Sequence, residues 1–203
     1  VYFYTANALT GIAWISIIPL VITAFLLTYA HKYLWRQMQT AKAFHILMIV
    51  LTSLIFLIIP LIFLTNINLM LYPQKWGGVQ GFLSALTLPN IFPRYVHFLL
   101  ACPAMTGLFL VWLFRRQSDE EIAKTGFERA ELIRKGYQWA LWPTAIQFLV
   151  GPWALLTLPD VPGSTAGVWI VFGISFVVSM IMVLLMAGET RRSADRIGQS
   201  FGG

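Results

Sequence analysis

The sequence is poor in charge. Asp, Glu, Lys and Arg make up 11% of its 203 residues, against about 25% in soluble globular domains. Hydrophobic residues make up 58% and the mean hydropathy is +0.74. A water-soluble fold is excluded, and an integral membrane protein is implied. Cysteine is almost absent. The single Cys102 rules out a disulfide within the chain, and there is no CxxCH haem-attachment motif. Cys102 lies in an apolar run and reads as a small buried hydrophobe. No Asp, Glu, Lys or Arg lies deep in an apolar run, which argues against a proton pump or ion-coupled transporter. Repeated halves of the transporter kind are also missing. Away from the span ends, where the histidines lie, the polar side chains are mainly Ser, Thr and Gln147, too few to line a channel.

What the sequence does have is long apolar stretches. A bilayer core of about 30 Å needs roughly 20 helical residues. Five stretches qualify, at about 8–33, 43–66, 94–114, 136–158 and 168–188. The expected fold is all-α: a single transmembrane domain over 1–203, a bundle of five helices. The first stretch is too long for a signal peptide and lacks a small-residue cleavage site. The chain opens on Val rather than Met, so further N-terminal sequence is expected. Between Leu71 and Pro93 a half-polar segment is too broken to span. It is expected to lie at the interface, with a short helix from Val79 to Leu88.

The one strongly polar run, from Arg115 to Lys135, reads as a solvated helix or an extension of the fourth span. Ser118 with Glu121 is a capping-box signature. Glu120 with Lys124, and Glu131 with Lys135, are favourable i,i+4 pairs. A short loop, Pro159 to Gly167, and a polar tail, Glu189 to Gly203, complete the chain.

Five spans place the segments 31–42, 115–135 and 189–203 on one side. These hold 12 of the 14 Lys and Arg residues. Only Lys75 and Arg94 fall on the other side. The positive-inside rule then puts the N-terminus outside and the C-terminus inside. It also accounts for the net charge of +6 without a nucleic-acid partner.

This topology sets the depth of the three histidines. His97 lies near the outer end of the third span, and an ionisable residue there is a candidate functional site. Small residues follow it at Ala101, Ala104, Thr106 and Gly107, leaving room for a neighbour or a flat cofactor. Neutral imidazole is a common axial ligand of haem iron. His97 is therefore a candidate ligand, with Arg94 placed to pair with a propionate. The bland alternative is an interfacial histidine bonded to a backbone carbonyl. His31 and His45 share an inner depth and could form a second, bis-histidine site across the hairpin of the first two spans. Their bland reading is a pair at the water boundary.

The run Phe92-Pro93-Arg94-Tyr95-Val96-His97, followed by Ala101 and Thr106-Gly107, resembles the fifth transmembrane helix of subunit I of cytochrome bd quinol oxidases. Met70-x-x-Pro73 resembles the end of that family's fourth helix, and Lys42 to His45 its start. Arg134 to Gly151 looks like the sixth helix. The resemblance covers residues 10–155, as helices three to six. It implies that His97 ligates a low-spin haem b near the outer face, in agreement with the topology. The family's first-helix histidine, the acidic residues of its third helix, its long outer quinol-binding loop and its late methionine ligand have no counterpart here. Oxygen reduction is therefore not expected. Met70, at the outer end of the second span, is the candidate sixth ligand.

The expectation is a b-haem-carrying, non-catalytic electron-transfer subunit of a quinol oxidoreductase complex in the bacterial inner membrane. It would pass electrons between the quinone pool and an outer-face partner of the multihaem cytochrome c kind. A quinol site, if present, is sought between Asn66 and Trp76 and just before Arg94. The alternative is a haem-free scaffold that anchors other subunits of a redox complex.

Overall fold

The computed structural model describes residues 1, 3–36, 41–159, 165–192 and 197. Of the sequence expectations, part of the basic segment (37–40), most of the Pro159–Gly167 loop (160–164) and most of the tail, with Arg196, lie outside the described residues. The fold is all-α, with no strand among the described residues.

Five long helices carry the apolar runs: α1 (Gly11–Leu34), α2 (Lys42–Met70), α4 (Ile91–Arg116), α6 (Arg129–Leu156) and α7 (Thr165–Thr190). Each is long and apolar enough to cross a membrane. They overrun the expected limits at most ends, and α6 starts seven residues early, at Arg129 rather than Gly136. Backbone pairing continues into flanking residues because leaving N–H and C=O groups unpaired near a bilayer is costly. Pro19, Pro60, Pro103, Pro143 and Pro152 all lie inside helices, which membrane helices tolerate where neighbours satisfy the freed groups.

The connections are short. A π-helical turn, Tyr4–Leu9, precedes α1. After α2 come a 3₁₀ turn, Pro73–Gly78, and a one-turn helix, α3 (Phe82–Ala85), shorter than the expected Val79–Leu88. Gly81 (φ 118°) and Asn90 (φ 72°) bracket this segment in the left-handed region, which stops it from growing into a longer helix. In the polar run, α5 (Asp119–Ala123) begins at Ser118, whose Oγ accepts from the Glu121 backbone N–H at 3.3 Å. The ion pairs Glu120–Lys124 (3.1 Å) and Glu131–Lys135 (2.8 Å) are both made. Arg129 ties the run to the end of α4. Its guanidinium donates to the carbonyls of Phe114 and Gln117, orphaned at the helix terminus, and to Asp119 at 2.7 Å.

The chain divides into two compact units, Val1–Tyr95 and Val96–Gly203, and the division falls inside α4. In the first unit α1 packs along α2 as a hairpin. Its core lies at one end, around Leu69, Ala85, Leu88 and Ile91. In the second unit α6 packs on α7, and the core gathers Val111, Ile133, Tyr137, Ala140 and Met186. Most large apolar side chains of the spans are exposed, as expected of surfaces that meet lipid or other protein.

Candidate functional site

His97 lies two residues past the division, on α4. Its side chain is exposed, and neither ring nitrogen has a hydrogen-bond partner among the described residues. The bland reading, a ring bonded to a backbone carbonyl, is not what is found. Instead the His97 carbonyl accepts from Gln147 Nε2 at 3.3 Å, which gives this polar side chain of α6 a partner on α4. The small residues after His97 do not all open a groove. Gly107 is pressed against α6: a Cβ there would lie 2.5 Å from the Gly136 carbonyl oxygen and 2.6 Å from the Ala140 nitrogen. The room expected at Gly107 is taken by a neighbouring helix. Cys102 is exposed rather than buried, because no helix of its own unit covers that face of α4.

Arg94 opens the same helix but belongs to the first unit. That unit contains no Asp or Glu at all, since the first acidic residue of the chain is Asp119. Arg94 is partly buried and its charge acts on the Tyr72 phenol. Burial pushes that phenol above its ordinary pKa, and Arg94 draws it partly back. Lys75 Nζ lies 5.5 Å from the same ring. Two cations thus flank one phenol with no carboxylate to neutralise them. Tyr72 and Lys75 were not singled out in the sequence, because a cation near a phenol leaves no spacing signature. Met70 is the last residue of α2, half-buried, in the first unit. The neighbouring region is occupied by structural bonds. Asn66 Nδ2 donates to Thr10 Oγ1 (2.7 Å), Asn68 Nδ2 to the Pro89 carbonyl (2.8 Å) and Trp76 Nε1 to the Leu69 carbonyl (2.8 Å).

His31 and His45 are brought together at the basic end of the α1–α2 hairpin. Their Nδ1 atoms are 3.2 Å apart, a direct imidazole–imidazole hydrogen bond, with ring planes at 80°. Trp35 caps both, its ring centroid 5.5 Å from His31 and 5.2 Å from His45. His45 is 4% exposed, and its Nε2 has no partner among the described residues. The expected bis-histidine haem site does not fit this arrangement. Two trans ligands of one metal need their nitrogens about 4 Å apart, at roughly 2 Å per bond, with a porphyrin between the rings. Here the rings touch. No third His, Cys, Asp or Glu joins them to complete a metal site among the described residues. Beside the pair lies a hollow of about 450 Å³ lined by Trp35, Lys42, His45, Ile46 and Ile49.

Comparison of the chain with known protein families, with curated proteins and with solved structures finds no match.

Proposed function

We propose that the chain is a b-haem-carrying subunit of a quinol-linked electron-transfer complex in the bacterial cytoplasmic membrane. In this reading the N-terminus and His97 face outward, and electrons pass between the quinone pool and an outer redox partner such as a multihaem cytochrome c. The observation that carries it is the His97 imidazole: on a helix long and apolar enough to cross a membrane, exposed, with both nitrogens unengaged among the described residues. An imidazole in that setting costs free energy unless something outside its own chain satisfies it. The residues present fit a haem in two respects. His97 has a free nitrogen for iron, and Arg94, one turn earlier on the same helix, has no carboxylate in its own unit to pair with and can meet a propionate. Because the His97 ring is not enclosed by its own unit, the haem's other face would be covered by a partner subunit. When bound, the haem supplies one-electron exchange at iron, and the protein supplies ligand, orientation and dielectric. A Met70 ligand rests on its position at the end of α2 alone.

The test is a reduced-minus-oxidised spectrum of the purified complex. A b-type α-band is expected in the wild type, and its loss or marked weakening in His97→Ala. An unchanged band, or none in the wild type, moves the chain to the second reading, a haem-free scaffold. The extensive exposed apolar surface of α1, α2 and α7 favours that reading as an anchoring surface for other subunits.

A further inference from the structure

The basic end of the second unit holds a cavity that the haem reading leaves unused. Its volume is about 430 Å³ and its walls come from α4, α6 and α7, a size in the range of small-molecule sites. On α4 the lining runs from Leu108 through Val111 and Trp112 to Arg115 and Arg116. Steps of three and four keep these residues on one face of the helix, over about 12 Å of its length. On α7 the lining is Met182 and Met186, one turn apart, and Tyr137 of α6 is buried at the floor. The cavity is thus a slot with two ends of different chemistry. One end has two guanidinium side chains, at the terminus of the α4 span, and the other is apolar.

Arg116 shows what the charged end lacks. Its guanidinium carbon lies 4.7 Å from the centroid of the Trp112 ring, a cation–π contact that holds the group at the rim. The residue is exposed and makes no hydrogen bond or ion pair among the described residues. Four carboxylates of this unit are paired with other cations: Asp119 with Arg129, Glu120 with Lys124, Glu131 with Lys135 and Glu189 with Arg192. A guanidinium stacked on an indole keeps its N–H edges turned outward, ready for a planar or tetrahedral oxyanion. The rim also faces hydrocarbon, since Trp112 and its stacking neighbour Phe109 are both exposed. A soluble anion leaves the apolar end unfilled, and a neutral lipophile leaves the arginines unanswered. An anionic head joined to an alkyl chain matches both ends.

We infer that the slot seats one anionic phospholipid, with its phosphate at Arg115 and Arg116 and the start of an acyl chain along Leu108 and Met182. Basic pockets between membrane helices at the headgroup level recognise lipids in this way. The inference does not depend on the haem or on the quinol-linked reading. It differs from the general attraction of a basic surface for anionic lipid in naming one place, one cation held ready by an aromatic ring, and a matching apolar groove.

The experiment uses the full chain in phosphatidylcholine nanodiscs, with a phosphatidylglycerol that carries a diazirine near the head of one acyl chain as photolabel. Saturable labelling is expected, mapped by mass spectrometry to residues 108–116 and 182–186 and competed by unlabelled phosphatidylglycerol. Arg116→Gln removes one charge at the rim, and about tenfold weaker binding is expected. Lys124→Gln removes the same charge from the same polar run but outside the slot, and a change of no more than about twofold is expected. Met182→Trp fills the apolar end, leaves both arginines in place and is expected to abolish labelling of the slot. Arg116 and Lys124 are both exposed, so their comparison and the wild-type map decide the matter even where Met182→Trp fails to fold. Crosslinks elsewhere, or labelling that does not saturate, would overturn the inference. Equal losses in Arg116→Gln and Lys124→Gln would reduce it to diffuse attraction, and unchanged labelling in a folded Met182→Trp would refute the groove. Displacement by inorganic phosphate or glycerol 3-phosphate as readily as by the lipid would overturn it in favour of a soluble-anion site.

Discussion

Gly107 of α4 and Gly136 of α6 meet backbone to backbone. A methyl group on Gly107 would fall 2.5 Å from the Gly136 carbonyl oxygen, and its other nearest atoms, Ala140 N and Trp139 C, are backbone too. No rotamer change relieves such a clash. Gly107→Ala is therefore expected to cost about 1–3 kcal/mol despite alanine's better helix propensity. Gly136→Ala should cost less, because the nearest atom to its new methyl is a side-chain carbon of Val111. Thermal unfolding of the two variants in the same detergent checks the order. Equal stabilities would mean that the helices part easily.

In the first unit, Asn66 and Thr10 are 0% and 3% exposed and joined at 2.7 Å, with Thr10 Oγ1 donating onward to the Thr5 carbonyl at 2.9 Å. This chain fastens the π-helical entry of α1 to α2. Thr10→Val keeps the shape and strands the Asn66 amide, so a loss of about 1 kcal/mol is expected. The double variant Thr10→Val/Asn66→Leu should lose less than the two single variants summed. Strict additivity in that cycle would show that the bond contributes nothing.

Glu189, 1% exposed at the end of α7, bonds Arg192 at 2.7 Å. Arg192 also accepts at its carbonyl from Arg134 Nη2, at 2.9 Å. Removing the cation leaves a buried carboxylate, whereas Glu189→Gln removes the charge that needs it. Arg192→Ala should thus destabilise more than Glu189→Gln, by about 1 kcal/mol given the half-exposed guanidinium. Urea or thermal denaturation of both variants reads the difference, and the reverse order would refute it.

The proposed orientation has a direct readout. In a Cys102→Ala background, a membrane-impermeant maleimide should label Gln74→Cys in intact cells. It should reach Lys124→Cys only after permeabilisation. Both positions are exposed. The Lys124 pair with Glu120 is solvated enough to be dispensable. The opposite labelling pattern would invert the topology and place His97 inside.

The five spans were legible because hydrocarbon sets a length that composition alone can meet. The polar run was legible because a cap and two i,i+4 pairs act within one turn: Ser118 and Glu121, Glu120 and Lys124, and Glu131 and Lys135 all behave as local chemistry dictates. His31 and His45 were legible as neighbours in depth, since a hairpin fixes register. What they do to each other was not, because ring orientation depends on packing beneath Trp35. The contact of Gly107 with Gly136 leaves no mark in either helix's own sequence, and a glycine reads equally as room for a cofactor. The Asn66–Thr10 bond links residues 56 apart, and no local pattern reports such a pairing. The division of the chain inside α4 is equally silent, since an unbroken apolar run looks the same on both sides of it.

The lone thiol of the chain sits uncovered on α4, part-way along a span that carries no other reactive sulfhydryl. It makes the native sequence its own depth gauge. A nitroxide attached to Cys102 would sense dissolved oxygen if that side of the helix looks into acyl chains. It would be shielded from oxygen and slowed in its tumbling if another polypeptide lies there in the assembled complex. One label at one natural position would thus report whether this helix works at the rim of its assembly or in its interior.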